Sequence, residues 1–169
     1  MRSEPPWYGA GMIDHALSVL VIAGALGSGL VAGIFFAFSS FVMAALGRLS
    51  AADGIAAMNA INVTVINPGF MLAFFGTAAV CLAAAVVAAL HGTAGTALIA
   101  AAAALYLVGC IGVTIVRNVP LNNLLAAATV GTPEATALWA HYLGTWTFWN
   151  TVRTMAAAAA AVLLMIAPA

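Results

Sequence analysis

The stretch from Trp139 to Arg153, WAHYLGTWTFWNTVR, gathers indoles, a phenol, an amide and a guanidinium into a chain otherwise nearly free of polar chemistry. Wound as a helix at about 100° per residue, it brings Trp139, Tyr142, Trp146, Trp149, Asn150 and Arg153 into one sector of roughly 100°. A plain membrane anchor has no need of an arginine and an amide on the same side as its indoles, so this face is a candidate binding surface. The plainer alternative is an interfacial belt, with Trp and Tyr at headgroup depth and Arg153 snorkelling outward. His141 lies about 120° from the centre of the stripe; it is either a general base or a residue facing a neighbouring helix or the headgroups.

Other chemistries find little support. His15 and His91 fall at the opposite end from His141, and no Glu-x-x-His or paired histidine motif exists to assemble a di-iron or closed zinc site. Haem ligation by a single histidine stays open. No Gly-x-Gly-x-x-Gly, phosphate loop or nucleophile elbow is present, so no organic cofactor and no metal is expected. Cys81 and Cys110 both lie in apolar runs. Counted at 1.5 Å per residue from the shared end of their helices, they differ in height by about 10 Å, which forbids a disulfide.

The elements that must position the stripe follow from composition. Of 169 residues, 66% are hydrophobic and 5% charged, with no lysine, and the mean hydropathy is +1.17; a soluble domain carries roughly 25% charge. This is the composition of a multi-pass integral membrane protein, expected in a bacterial cytoplasmic membrane with lipid as its surroundings. With no basic patch, nucleic acid is excluded as a partner. The length allows about four spans of roughly 20 residues. The expected fold is all-α, an integral membrane four-helix bundle with a short extra helix in each of the first and third loops. Residues 1–15, around Pro5-Pro6, form an extramembrane segment, and residues 16–169 a single four-span domain. A cleaved signal peptide is rejected because the apolar run is too long and no polar region follows it.

Span one runs from about Ala16 to Leu46. Its stripe Ala25, Gly29, Gly33 and Ala37 allows close helix approach, expected inside the bundle rather than in a homo-oligomer contact. Its second half carries Phe35, Phe36, Phe38 and Phe41 beside Ser39 and Ser40. Ser50 or Asp53 caps a short helix holding Asn59 and Asn62, which ends before Asn67-Pro68. Span two runs from Pro68 to about Leu90, and His91, Gly92 and Gly95 turn the chain into span three, Thr96 to Val116. A break at Val119-Pro120 then precedes a short segment opened by Asn122 and Asn123. Gly131, Thr132 and Pro133 start the last helix.

With alternating spans, the first and third loops and the start of span four share one side. Asn59, Asn62, Asn67, Arg117, Asn118, Asn122, Asn123, His141, Asn150 and Arg153 therefore gather at one end of the bundle. Polar groups near hydrocarbon are costly unless paired or facing a cavity, which makes this end the candidate site; helix-to-helix hydrogen bonding is the plainer role of each Asn. Arg48 and Arg117 in the odd loops, against Arg2, favour this end facing the cytoplasm.

GLVAGIFFAFSSFVM (29–43), AMNAINVTVINPGF (57–70), NVPLNN (118–123) and the terminal WxxYLxxWTxWNxxRT pattern (139–154), in that order, together resemble the anthrone oxygenase family of small four-span membrane proteins. The family usually has a bulkier residue after INP, where Gly69 stands here, enlarging a pocket or loosening a turn. The resemblance implies oxidation of a planar phenolic polyketide anthrone to an anthraquinone, with molecular oxygen as co-substrate and no obvious organic cofactor. On that basis Arg153, with Arg117 as second choice, would stabilise an enolate oxygen and His141 would take the proton. Asn62, Asn67, Asn118, Asn122 and Asn150 would hold phenolic oxygens, while Trp146, Trp149 and Phe36 would sandwich the substrate. The competing readings are a non-catalytic protein binding a quinone, lipid or partner helix at the same end, and a structural bundle whose Asn side chains pair and leave no pocket.

Overall fold

The computed structural model describes residues 6–168, with side chains from Gly11 onward. Four helices are long and apolar enough to cross a membrane: Gly11–Leu46, Pro68–His91, Thr96–Ala126 and Pro133–Ile166. No strand occurs among the described residues. The expected segment ahead of span one falls partly outside the described residues, and helix is already present from Pro6.

Span one comprises α1 (Pro6–Ala37), a π-helical turn Phe38–Val42 and α2 (Met43–Leu46). Ser50 Oγ then accepts from Asp53 N and caps α3 (Ala51–Thr64), the short helix of the first loop. Asn67 is extended, at φ −122° and ψ 157°, as a residue before proline must be, and it caps α4 (Pro68–His91). Gly92 closes α4 in the left-handed region at φ 62°, where only glycine is unstrained. Span three contains α5 (Thr96–Ala104), π segments Leu105–Gly112 and Thr114–Asn118, and α6 (Val119–Ala126). Thr132 caps α7 (Pro133–Ile166) by accepting from Ala135 N.

Two expectations are corrected. The chain does not break at Val119-Pro120: helix continues to Ala126, because proline stands in the first turn of α6, where its ring fits, and the preceding π turn has already displaced the α ladder. The helix expected in the third loop is thus α6, which continues span three without interruption. The stripe Gly29 and Gly33 does not pack inside the bundle. Both glycines are exposed, and a Cβ on either would meet nothing within 4 Å.

Close packing falls instead on other small residues. α1 lies against α7 and α4, and α7 against the π segments of span three. Leu17, Val21, Val31 and Phe35 interlock with Cys81, Ala84, Ala102, Tyr106, Ala157 and Leu164 in the main core. The alanine tract of α7 is what lets span three approach; a Cβ on Gly109 would lie 2.6 Å from Ala156 Cβ. Cys81 and Cys110 are buried and unbridged. A second core caps the polar end, where α3 lies across the bundle and buries Ile55 and Met58 against Met43, Leu125, Trp139 and Tyr142.

Candidate functional site

Between the two cores lies a cavity of about 280 Å³, near the lower end of small-molecule sites, which run from roughly 300 Å³ upward. Phe35 and Phe38 of span one, Phe70 and Phe74 of α4, and Trp146 of α7 form its aromatic walls, with Met58 and Ile61 of α3 and Val65 at its C-cap as the roof. Phe70 and Phe74 are stacked at 5.6 Å and 14°, and Phe35 meets Phe74 edge-on at 6.1 Å. The polar groups reaching this space are Arg153, Asn62, Asn122 and Thr114.

Arg153 projects inward because it shares the α7 face of Asn150 and Trp146, and only 4% of it is exposed. Nη2 donates to Asn150 Oδ1 at 2.7 Å and Nη1 to Thr114 Oγ1 at 3.1 Å. Its Cζ sits 4.1 Å from the Phe35 ring centre and 5.3 Å from that of Trp146. All of these partners are neutral. Nε has no hydrogen-bond partner, and the cavity lining contains no Asp or Glu. A buried cation held only by dipoles and ring faces is primed for an anion.

Asn150 is fixed in turn by span one, where Nδ2 donates to Phe35 O at 2.6 Å and to Ser39 Oγ at 2.7 Å. Phe35 O lies one turn before the π segment Phe38–Val42, and its second lone pair takes this bond. On the other wall, Asn122 Oδ1 accepts from both Tyr142 OH and Trp146 Nε1, each at 2.8 Å. That double bond locks the Trp146 indole against the cavity. Asn62 Nδ2, also at the lining, is buried without a partner. Two donors of lining residues, Arg153 Nε and Asn62 Nδ2, are thus left without an acceptor beside the cavity.

The aromatic stripe of α7 faces inward, so it is not an interfacial belt: Trp139, Tyr142, Trp146, Asn150 and Arg153 are buried. Of the residues expected at the site, Arg153, Trp146, Asn62 and Asn122 line the cavity, and Asn150 holds Arg153 from behind. Asn118 is buried alongside rather than within, its Nδ2 donating to Trp146 O at 3.2 Å. Asn67 serves as a helix cap, its Oδ1 accepting from Phe70 N and its Nδ2 donating to Thr64 O. Arg117 is exposed and stacks over Trp149 at 4.7 Å; neither lines the cavity. His141 is exposed, with Nε2 3.2 Å from Thr145 Oγ1 on its own helix. Phe36 is 61% exposed on the outer surface, one helical step, about 100°, from the face that Phe35 presents inward. Gly69 is exposed and enlarges no pocket.

Phe35, Phe70, Phe74 and Thr114 were not expected at the site. The inward residues of α1 mark Phe35: Leu17, Val21, Gly24, Ser28, Val31 and Phe35 follow a spacing of four and three, and the next step reaches Phe38. No local signal marks Thr114, which a π turn carries into the cavity.

No curated protein and no solved structure matches the chain. A family model described as "Anthrone oxygenase" matches residues 70–163, over half the chain. The matched region carries Phe70, Phe74, Thr114, Asn122, Trp146, Asn150 and Arg153, though not Phe35 or Asn62. On that match, the chain belongs to the anthrone oxygenase family.

Proposed function

We propose that this protein oxidises a planar, phenolic anthrone-type molecule to the corresponding quinone with molecular oxygen. The observation that carries the reading is Arg153, a buried guanidinium with neutral partners and a free Nε, set among aromatic rings in a cavity of suitable size. The flat substrate lies between the Phe70–Phe74 stack and Trp146, and its oxygen faces Arg153. Asn62 Nδ2 donates to a second ring oxygen.

Loss of the acidified ring C–H proton gives an enolate, whose charge on oxygen Arg153 stabilises in a medium of low dielectric constant. The enolate transfers one electron to dioxygen, since triplet oxygen reacts by single-electron steps, and the radical pair joins at the ring carbon as a peroxide anion. That anion regains a proton, so no stoichiometric base is consumed. Elimination of water, which breaks the O–O bond and the remaining C–H bond, leaves the new carbonyl: one anthrone and one O₂ yield one quinone and one H₂O. His141 does not line the cavity, and the proton it was expected to take passes instead to interfacial water at the open flank of the cavity, which also returns a proton to the peroxide anion.

The test is oxygen uptake by the purified protein in lipid nanodiscs with an anthrone, corrected for spontaneous autoxidation. Saturable uptake with one O₂ consumed per quinone formed supports the reading. Tight binding of the anthrone without uptake above autoxidation would replace it with a non-catalytic binding role.

A further inference from the structure

The cavity is closed toward the polar end by the second core and open on its flank. We propose that the substrate enters and leaves sideways, from the bilayer, through a portal between spans two and three. This rests on the functional reading above for the identity of the molecule, though not for the existence of the portal.

The rim consists of Ile66, Phe75, Ile115 and Val119, all of them apolar, exposed and continuous with the cavity lining. An opening built for water-borne ligands would be rimmed by polar groups. At about 1.5 Å per residue, Phe75 lies about 24 Å and Ile115 at most about 28 Å from the turn joining spans two and three. Against a hydrocarbon layer of about 30 Å, the portal opens just inside the boundary with the headgroups. That is the depth at which a planar molecule with an apolar ring system and polar oxygens partitions. The direct aqueous route is blocked, because α3 and its C-cap roof the cavity with Met58, Ile61 and Val65, and α3 packs above it with Ile55 against Trp139 and Tyr142. The substrate class follows: a molecule that dissolves in membrane as a neutral species and becomes anionic only beside Arg153.

The first experiment needs no ligand. In a Cys81→Ala, Cys110→Ala background, a nitroxide is attached after Ile115→Cys or Val119→Cys, with Arg48→Cys in the first loop as the reference. Collision with oxygen, which is concentrated in the bilayer, should dominate at 115 and 119, and collision with a water-soluble nickel chelate at 48. Nickel access at the rim positions equal to that at 48 would overturn the portal. The second experiment follows 1,8-dihydroxyanthraquinone binding by stopped-flow tryptophan quenching in nanodiscs. Ile115→Phe with Val119→Phe narrows the mouth, so association and dissociation should slow together by about tenfold while Kd changes little. Unchanged rates, with association following the free aqueous probe concentration, would also overturn it. A probe that binds neither form counts against the functional reading, and the nitroxide result still decides the portal.

Discussion

Replacing Arg153 by methionine separates its catalytic from its structural contribution. Methionine reproduces the apolar stem out to about the position of Nε while deleting the charged head group. With Cζ 5.3 Å from the Trp146 ring centre, a flat ligand between that ring and the Phe70–Phe74 stack brings its oxygen to roughly 4 Å from the guanidinium. At an effective dielectric constant near 20, that attraction is about 4 kcal/mol, or on the order of a thousandfold in turnover. Stability should respond differently. Asn150 Oδ1 loses its donor, at a cost of about 1–3 kcal/mol, whereas Thr114 keeps its bond to Cys110 O. Against this, a cation with no anionic partner at the cavity no longer has to be buried, which relieves several kcal/mol. The variant should therefore unfold at the same temperature as the parent or higher, while oxygen uptake with an anthrone falls about a thousandfold. Both quantities are read on the same nanodisc sample. Turnover within about twofold of the parent, or a loss of activity matched by a collapse in thermal stability, would refute the reasoning.

Phe35→Leu should raise KM for the anthrone severalfold by removing a cavity wall, whereas Phe36→Leu, on the outer surface, should leave steady-state kinetics unchanged. His141→Ala should retain turnover within about twofold, because its exposed ring is bonded only to Thr145 on its own helix; a large loss in kcat would return it to the role of base. Asn122→Ala leaves both Tyr142 OH and Trp146 Nε1 without an acceptor, so chemical denaturation should show a loss of about 1–3 kcal/mol for each unpaired donor. The freed indole should also broaden the tryptophan emission.

Much of this architecture was legible because membrane insertion constrains sequence so tightly. Runs of apolar residues fixed the spans, and Ser50, Asn67 and Thr132 marked helix starts through cap chemistry that depends only on neighbours in sequence. The inward face of α7 was legible for a related reason: Trp139, Tyr142, Trp146, Asn150 and Arg153 recur at helical spacing, and a membrane gives an arginine few other places to go. What escaped was rotation by a single residue. Phe35 and Phe36 are chemically identical, and only the spacing of Leu17, Val21, Ser28 and Val31 far upstream tells them apart. Asn67 was misjudged because an asparagine before proline can serve as a cap or as a ligand group, and its side chain is spent on Phe70 N and Thr64 O. The outward turn of Gly29 and Gly33 was hidden because a small-residue stripe reads the same whether a helix or lipid covers it.

The π segments escaped for a deeper reason, and they bear on why the cavity exists at all. Four regular helices with small-residue faces would close against one another, as they do where Gly24 of α1 meets Leu164 of α7 and Cys81 of α4. At the level of Arg153, spans one and three both depart from α geometry, at Phe38–Val42 and across Leu105–Asn118. Both irregular stretches border the site: Phe35 O, one turn before the first, anchors Asn150 from one side, and Thr114 Oγ1, at the start of the last, meets Arg153 from the other. A widened turn forfeits regular α bonding, and external partners recover part of that loss only where they are fixed in place. The bonds from Phe35 O through Asn150 and Arg153 to Thr114 thus join span one to span three by way of α7 at the level of the cavity. The residues that give the candidate site its charge thus also bridge the two irregular stretches of backbone, which places those stretches beside the cavity rather than at the ends of the bundle.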